Sequence, residues 1–480
     1  MVPPNGYTAA GPPETPVDWL AYLHGKLTNQ LPDMWRYAKY YEGDHQRLAF
    51  SQARYKAEFR EVFETWRDNF CGLIIDSATE RMVVEGFRLP DSPGFDTDAR
   101  EFWQRNSLDV LSNAVHLDAM LQGRAYVLVW LGDDGKVRIT PRSGENMVVE
   151  YKAGSQTELE AAALFFTDSW GRPSATLWTE AYVYEVKAGT TEWENGSRRP
   201  NPLGVVPVVP FHNRSRLAGE PYSDLTNVIP IQDAINKTVS DALTASEFAA
   251  FPQRYVTGLE IVEDAEGNPV EPFKVAVDKL LQAEDPAAKF GQFEAASLSN
   301  YCDLVGLLLQ HMSSLSRTPS HYFLVNGGTA PSGEAIISAE AGLVAKVRER
   351  MLHFGEAWEK VIRLCFAWEG DKRAEAFSME TVWRDPEYRT EAQHIDALLK
   401  LKQLNVPEEQ LWSDAGYTPS QISTFRAMRK EDAKAAAEVQ KLGPQPDHPG
   451  TAEGAKAAQI AAKPPQGNSG NVSRKIHEQK

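Results

Sequence analysis

Between positions 332 and 368 apolar residues recur in alternating steps of three and four: Val344, Val347, Met351, Phe354, Trp358, Val361, Cys365 and Trp368. That spacing keeps one face of an α-helix apolar along its length. Lys346, Arg348, Glu349, Arg350, Glu356, Glu359 and Lys360 fall mostly off the seam. Ser332 suits the N-cap, Glu334 favours the positive helix end, and Gly370 lies just past the last apolar residue. About 35 residues rising 1.5 Å each make a rod of roughly 50 Å, longer than a compact small domain needs.

The same periodicity predicts a first helix over 16–41, with Trp19, Leu20, Leu23, Leu27 and Leu31 on one face and Gly43 at its end. Further helices are expected over 66–82 and over 98–122, the latter carrying Phe102, Trp103, Leu108, Leu111, Val115 and Leu121. The period then drops to two. Strands are predicted over 126–131 and 136–140 about a Gly132-Asp133-Asp134-Gly135 turn, then over 147–151, 162–167, 176–178 and 181–186. Prolines demote 204–210 to an edge or entry strand. Residues 1–15 form a loose leader, and 16–220 read as an α+β domain with helices first and mostly antiparallel strands second.

From residue 223 the pattern changes. A helix over 231–250 has Pro230 in its first turn and Pro252 to stop it, with small or polar Asn236, Ser240, Asp241, Thr244 and Ser246 off its apolar positions. Residues 251–294 form a short insertion with candidate strands at 254–257 and 273–277. Its 259–294 stretch holds nine acidic residues against three lysines. A second helix follows over 296–315, so the two helices are expected to run antiparallel and to hold the insertion away from the body. Pro319, Pro331 and Gly327-Gly328 make 317–331 a loop. After the rod come a strand over 377–383, helices over 391–404, 408–415 and 420–442, and an aperiodic tail expected to be disordered.

Composition narrows the chemistry. A chain of 480 residues with 42% hydrophobic content has material for about three domains. No stretch nears the roughly 20 apolar residues of a membrane helix, and the opening residues lack the regions of a secretory signal. A net charge of -16 argues against ordinary DNA binding, where cations must neutralise phosphates. Cys71, Cys302 and Cys365 sit apart in apolar surroundings and are expected as buried, reduced thiols. A phosphate-binding loop, G-x-S-x-G, H-E-x-x-H and C-x-x-C are all absent. Asp133 and Asp134, flanked by glycines, read as a hairpin turn rather than a Walker B end. Glu42, Asp44 and His45 beside one glycine fall short of a metal site. Neither a catalytic apparatus nor a cofactor is expected.

The order helix, acidic strand module, helix, Gly/Pro loop, long helix, returning strand and helical end resembles the portal proteins of tailed bacteriophages. So do local stretches: Tyr40 to His45, Gly123 to Val129, Asn201 to Val209, Asp233 to Lys237, Phe251 to Arg254, Lys289 to Phe293, Ser332 to Ile336 and Val382 to Pro386. The resemblance runs over about 15–425, and the local stretches look like those common in portals of phages with long non-contractile tails. It implies a portal fold with an α+β wing (16–220 with return strand 371–387), a two-helix stem (221–250 and 296–316) and a β-containing clip (251–295). It further implies a tunnel loop (317–331), a long wing helix (332–370), a helical crown (388–442) and a tail (443–480). On that resemblance Arg317, His321, Asn326 and Thr329 face DNA, and the clip acids Glu260, Glu263, Asp264 and Glu266 face a partner. A ring, usually of twelve subunits, would sit in the virion at one capsid vertex after assembly in the host cytoplasm. It would meet major capsid and scaffolding proteins, the terminase large subunit, a head-completion adaptor and double-stranded DNA in transit. The residue pattern leaves two alternatives open, a metal-dependent nucleic-acid-processing enzyme and a protein-only assembly scaffold.

Overall fold

The computed structural model describes residues 11–45, 68–89, 94–188, 193–214, 216–217, 219–250, 254–258, 287–292, 297–323, 333–387, 391–417 and 419–441. Two units compose the chain, Met1–Thr418 and Pro419–Lys480. The first unit begins with α1 (Pro16–Tyr41), whose N-cap Thr15 and N3 Asp18 close a reciprocal capping box. Then follow α2 (Phe70–Thr79), β1 (Val84–Arg88), α3 (Thr97–Arg105) and α4 (Leu108–Gln122). The single helix expected over 98–122 is thus two. Ser107 adopts a left-handed conformation (φ 56°), and the Asn106 side chain turns back onto the carbonyl of Phe102 and reaches Val137 and Ile139. A continuous apolar period cannot reveal such a break.

The next eight strands build two sheets: β2 (Arg124–Leu131), β3 (Val137–Ser143), β4 (Met147–Tyr151), β5 (Leu159–Thr167), β6 (Pro173–Thr179), β7 (Tyr182–Ala188), β8 (Trp193–Pro200) and β9 (Val208–His212). One is three-stranded in the order β3-β2-β9, the other five-stranded in the order β4-β5-β6-β7-β8, and every pairing is antiparallel. β9 lies on an edge, as its prolines require. β8 escapes the sequence reading because Trp-Glu-Asn-Gly-Ser-Arg-Arg-Pro has no apolar alternation; it is held by its ladder to β7.

Period-two alternation sets the layers. Tyr126 and Leu128 of β2 face Met147, Val149, Leu164 and Trp178 between the two sheets. Val127 and Val129 of the same strand face the helices. On the far side of the five-stranded sheet, Ala161, Ala163, Ala175 and Leu177 pack on Leu20, Leu23 and Leu27 of α1.

The remaining elements are α5 (Ile229–Ala250), β10 (Arg254–Thr257), β11 (Lys289–Gln292), α6 (Ser299–Ser316), α7 (Gly333–Glu369), β12 (Glu380–Trp383), α8 (Glu391–Gln403), α9 (Glu408–Asp414) and, as the described part of the second unit, the largely polar α10 (Pro419–Lys441). α5 and α6 pack on each other, with the antiparallel β10–β11 pair between them in sequence. β10 pairs with Lys289–Gln292, whereas the strand expected at 273–277 lies outside the described residues. Ile229 and Ile235 from the start of α5 share a core with Leu309 and Met312 from the end of α6, so the helices run antiparallel with one end rooted in the main core. β12 returns to pair with β1.

The 37-residue α7 is the central beam of that core. Trp358 packs on Trp103 and Phe211 at 4.9 and 4.8 Å, and Phe354 stacks on His116 at 5.3 Å. Its last turn is tied by Trp368, which stacks edge-on against Trp130 and donates to the carbonyl of Val129. Cys71 and Cys365 are buried and free as expected, but free Cys302 is exposed, because α6 turns that face outward.

Candidate functional site

The most built-up polar site lies where α5 and α6 root against α7. Gly123 ends α4 at φ 87°, and a Cβ there would come within 3.0 Å of the Tyr222 backbone. That close approach brings the segment before α5 against the end of α4, where Asp224 N donates to the carbonyl of Met120 at 3.1 Å. Asn213 then fixes it, donating to the carbonyl of Tyr222 and to Asp224 Oδ1, both at 3.0 Å. Asp224 is buried and points at α7, where Lys346 Nζ lies 2.8 Å and Arg350 3.2 Å from its carboxylate; Arg214 stands off at 4.0 Å. Burial pushes the Asp224 carboxyl up, but Lys346 and Arg350 outweigh it and hold the group below the usual carboxylate range.

Lys346 does a second thing. Its ammonium also donates to the carbonyl of Ser316, the last residue of α6, at 3.2 Å. One lysine on α7 therefore holds the entry to α5 and the exit of α6 together. Immediately after α6, Arg317 takes a left-handed conformation (φ 57°) with its Cβ against Gly342 of α7, and Ser313 Oγ donates to the carbonyl of Thr318.

A second cluster anchors the following residues. Arg81 donates to the Tyr322 hydroxyl at 2.8 Å and to Glu340 at 3.3 Å, and Tyr322 in turn donates to Glu340 at 3.1 Å. Phe323 packs edge-on against Phe70. Both ends of this short stretch are thus fastened to the N-terminal half of α7.

Of the residues singled out in the sequence, Arg317 and His321 are brought together here, both exposed, with His321 Nε2 3.9 Å from Glu340. Asn326 and Thr329, and the acids Glu260, Glu263, Asp264 and Glu266, lie outside the described residues. Sequence reasoning missed Asp224, Arg81 and Glu340, and put Lys346 and Arg350 off the buried seam, whereas both are buried. Their spacing held the signal: 346, 350, 354 and 358 step by four along one face that ends in Phe354 and Trp358. Among the described residues no group of three His, Cys, Asp or Glu side chains is arranged to hold a metal, and no helix is long and apolar enough to cross a membrane. The arrangement is a mechanical joint.

Residues 20–436 match the family described as phage portal protein, SPP1 Gp6-like. The chain is 30% identical over 384 residues to the portal protein of Mycobacterium phage D29, covering 75% of this chain and 78% of the relative. It is likewise 30% identical over 415 residues to the portal protein of Mycobacterium phage L5, covering 82% and 84%. Among solved structures, a chain in the neck of an empty gene transfer agent particle is similar at a TM-score of 0.44 and 10% identity, over 80% of this chain and 99% of that one.

Proposed function

The chain belongs to the family of SPP1 Gp6-like phage portal proteins, and on that premise we propose that it closes into a ring at one capsid vertex through which double-stranded DNA passes during packaging and ejection. In this reading α5 and α6 are the stem, β10, β11 and the acidic stretch between them the clip, and 317–331 the tunnel loop. α7 is the long wing helix, α1 to β9 with β12 the wing, and 388–442 the crown. Terminase docks at the clip, with Glu260, Glu263, Asp264 and Glu266 facing it, and a head-completion adaptor takes its place afterwards. Major capsid and scaffolding proteins surround the wing. ATP hydrolysis belongs to the motor.

The observation that carries this reading is the unequal burial of the paired helices. Ile235, Leu309 and Met312 at their rooted ends are in the core, while Leu243, Leu298 and Leu304 toward their other ends are exposed, as are Leu307 at the middle of α6 and Leu315 on its outer face beside the joint. Leucines on a projecting rod suit contact with neighbouring copies, and a closed ring needs two different faces on each copy. Twelve copies would carry a charge on the order of -190. Acids lining the bore would repel phosphate, leaving Arg317 and His321, with Asn326 and Thr329, for weak transient contacts.

Native mass measurement and negative-stain imaging of the purified chain test the reading. A large closed annulus is expected; a monomer or dimer under assembly conditions sinks it. Exchange of exposed bore acids for lysine should slow DNA filling, and unchanged filling would remove the charge argument.

A further inference from the structure

The five-stranded sheet has two unlike ends. At one, the turn between β5 and β6 is tied by a single carboxylate: Trp170 N and Arg172 N both donate to Asp168 Oδ1 at 2.9 Å, and Arg172 Nε donates to Oδ2 at 2.8 Å. The backbone closes the same turn, Asp168 N to Arg172 O at 3.0 Å and Gly171 N to Asp168 O at 2.9 Å. On this knot Trp170 is 82% exposed and Phe166 43% exposed. A large ring on a pre-ordered turn loses little freedom on docking, and tryptophan is the residue most enriched among binding anchors.

At the opposite end, a groove of about 880 Å³ opens between the β4–β5 turn, the approach to β9 and α7. Val206, Leu364 and Ala367 supply apolar lining. Two cations stand beside them. Lys360 Nζ donates to the carbonyl of Thr157 at 3.2 Å, and the Arg363 guanidinium lies 5.1 Å from the ring centroid of Phe377, which is itself 78% exposed. Lys152, paired with Glu158 and Glu180, and Glu356 complete the charged part of the lining, and a partly apolar trough with a cation beside it can take the face and edge of an indole.

We propose that the Trp170 tip of one copy seats in this groove of the next copy in the ring. The nine residues of β5 separate the two features by about 30 Å along the sheet, so a copy cannot fill its own groove. Knob and hole at opposite ends of one chain make a head-to-tail contact, the kind that closes a ring. Area selects the occupant. Trp170 and Phe166 would bury on the order of 150–250 Å² each, well under the roughly 1,200–2,000 Å² of a free-standing interface. A partner must therefore already be tethered alongside, as a neighbouring copy is and a freely diffusing protein is not. The inference rests on the ring reading above.

The test is p-benzoyl-phenylalanine in place of Trp170, irradiated in the assembled full-length protein, with cross-linked peptides mapped by mass spectrometry. Links between copies are expected at 203–206 and 363–367, and Trp170→Ala should speed subunit exchange about tenfold. Intact rings whose links map elsewhere, or form none, overturn the inference while leaving the ring standing. A chain that yields no rings overturns both.

Discussion

Up to Arg350, α7 is fastened by charges: Glu340 to Arg81 and Tyr322, Lys346 and Arg350 to Asp224. From Met351 onward it is fastened by rings: Phe354 on His116, Trp358 on Trp103 and Phe211, Trp368 on Trp130. The second half is the more deeply buried, and the two differ in what failure costs. Aromatic packing is tolerant of angle and strong in sum. A buried ion pair contributes little net stability over an apolar substitute, yet breaking it by removing one partner is expensive. The aromatic half therefore sets firmness, and the charged half sets register, fixing where α5 and α6 leave the body.

Four measurements would break or sharpen that contrast. Trp358→Ala should do most damage, about 5 kcal/mol by denaturant titration, since it opens a cavity and strips His116 Nε2 of the indole N–H that reaches it at 2.9 Å. Asp224→Asn should cost about 3–5 kcal/mol by leaving Lys346 without its counter-charge and Arg350 with Glu349 alone, and should raise hydrogen exchange at the α5 and α6 roots before the sheets. A loss spread evenly over the molecule would refute the register role.

Acid should separate the halves in order. Indole N–H only donates, so His116 Nε2 accepts and the ring is neutral; burial holds its pKa down at about 3. His212 is likewise held at about 3, by burial and then by Arg124 and Lys26. Both stabilise fully above the unfolded value near 6.5. Below it the unfolded chain takes up protons that the fold refuses, so stability should fall by about 1.4 kcal/mol per pH unit per histidine down to about pH 3. Asp224 behaves otherwise: its folded pKa is depressed, so its contribution is present above about 3.9 and is lost only as pH falls further. Urea midpoints between pH 7 and 4.5 should thus decline, with a shallower slope in His116→Phe; an equal slope would show that His116 is not the group refusing the proton. Tyr322→Phe should have the smallest effect, about 1 kcal/mol, seen as faster proteolysis after α6.

Much of this was legible from pattern alone. The period of α7, the proline-limited edge strand (expected over 204–210, found over 208–212), the hairpin about Gly132 to Gly135 and the helices α5 and α6 all follow from local spacing and turn chemistry. What escaped were β1, whose pairing partner β12 lies some 300 positions away, β8, with no apolar alternation, the break at Ser107, and every member of the polar joint except by hindsight in the 346–350–354–358 step. Tyr322 meets Arg81 and Glu340, which come from 241 positions before it and 18 after, beyond any local period.

Sequence by itself determined most of the elements, because each depends on residues within a turn or two of one another, and the excess of negative charge, which is a sum over the chain. Only the tertiary structure decided that Lys346 and Arg350 turn inward. A charge enters a core when a distant carboxylate waits there to offset its lost hydration, and Asp224, on another element altogether, meets them only once the chain has folded.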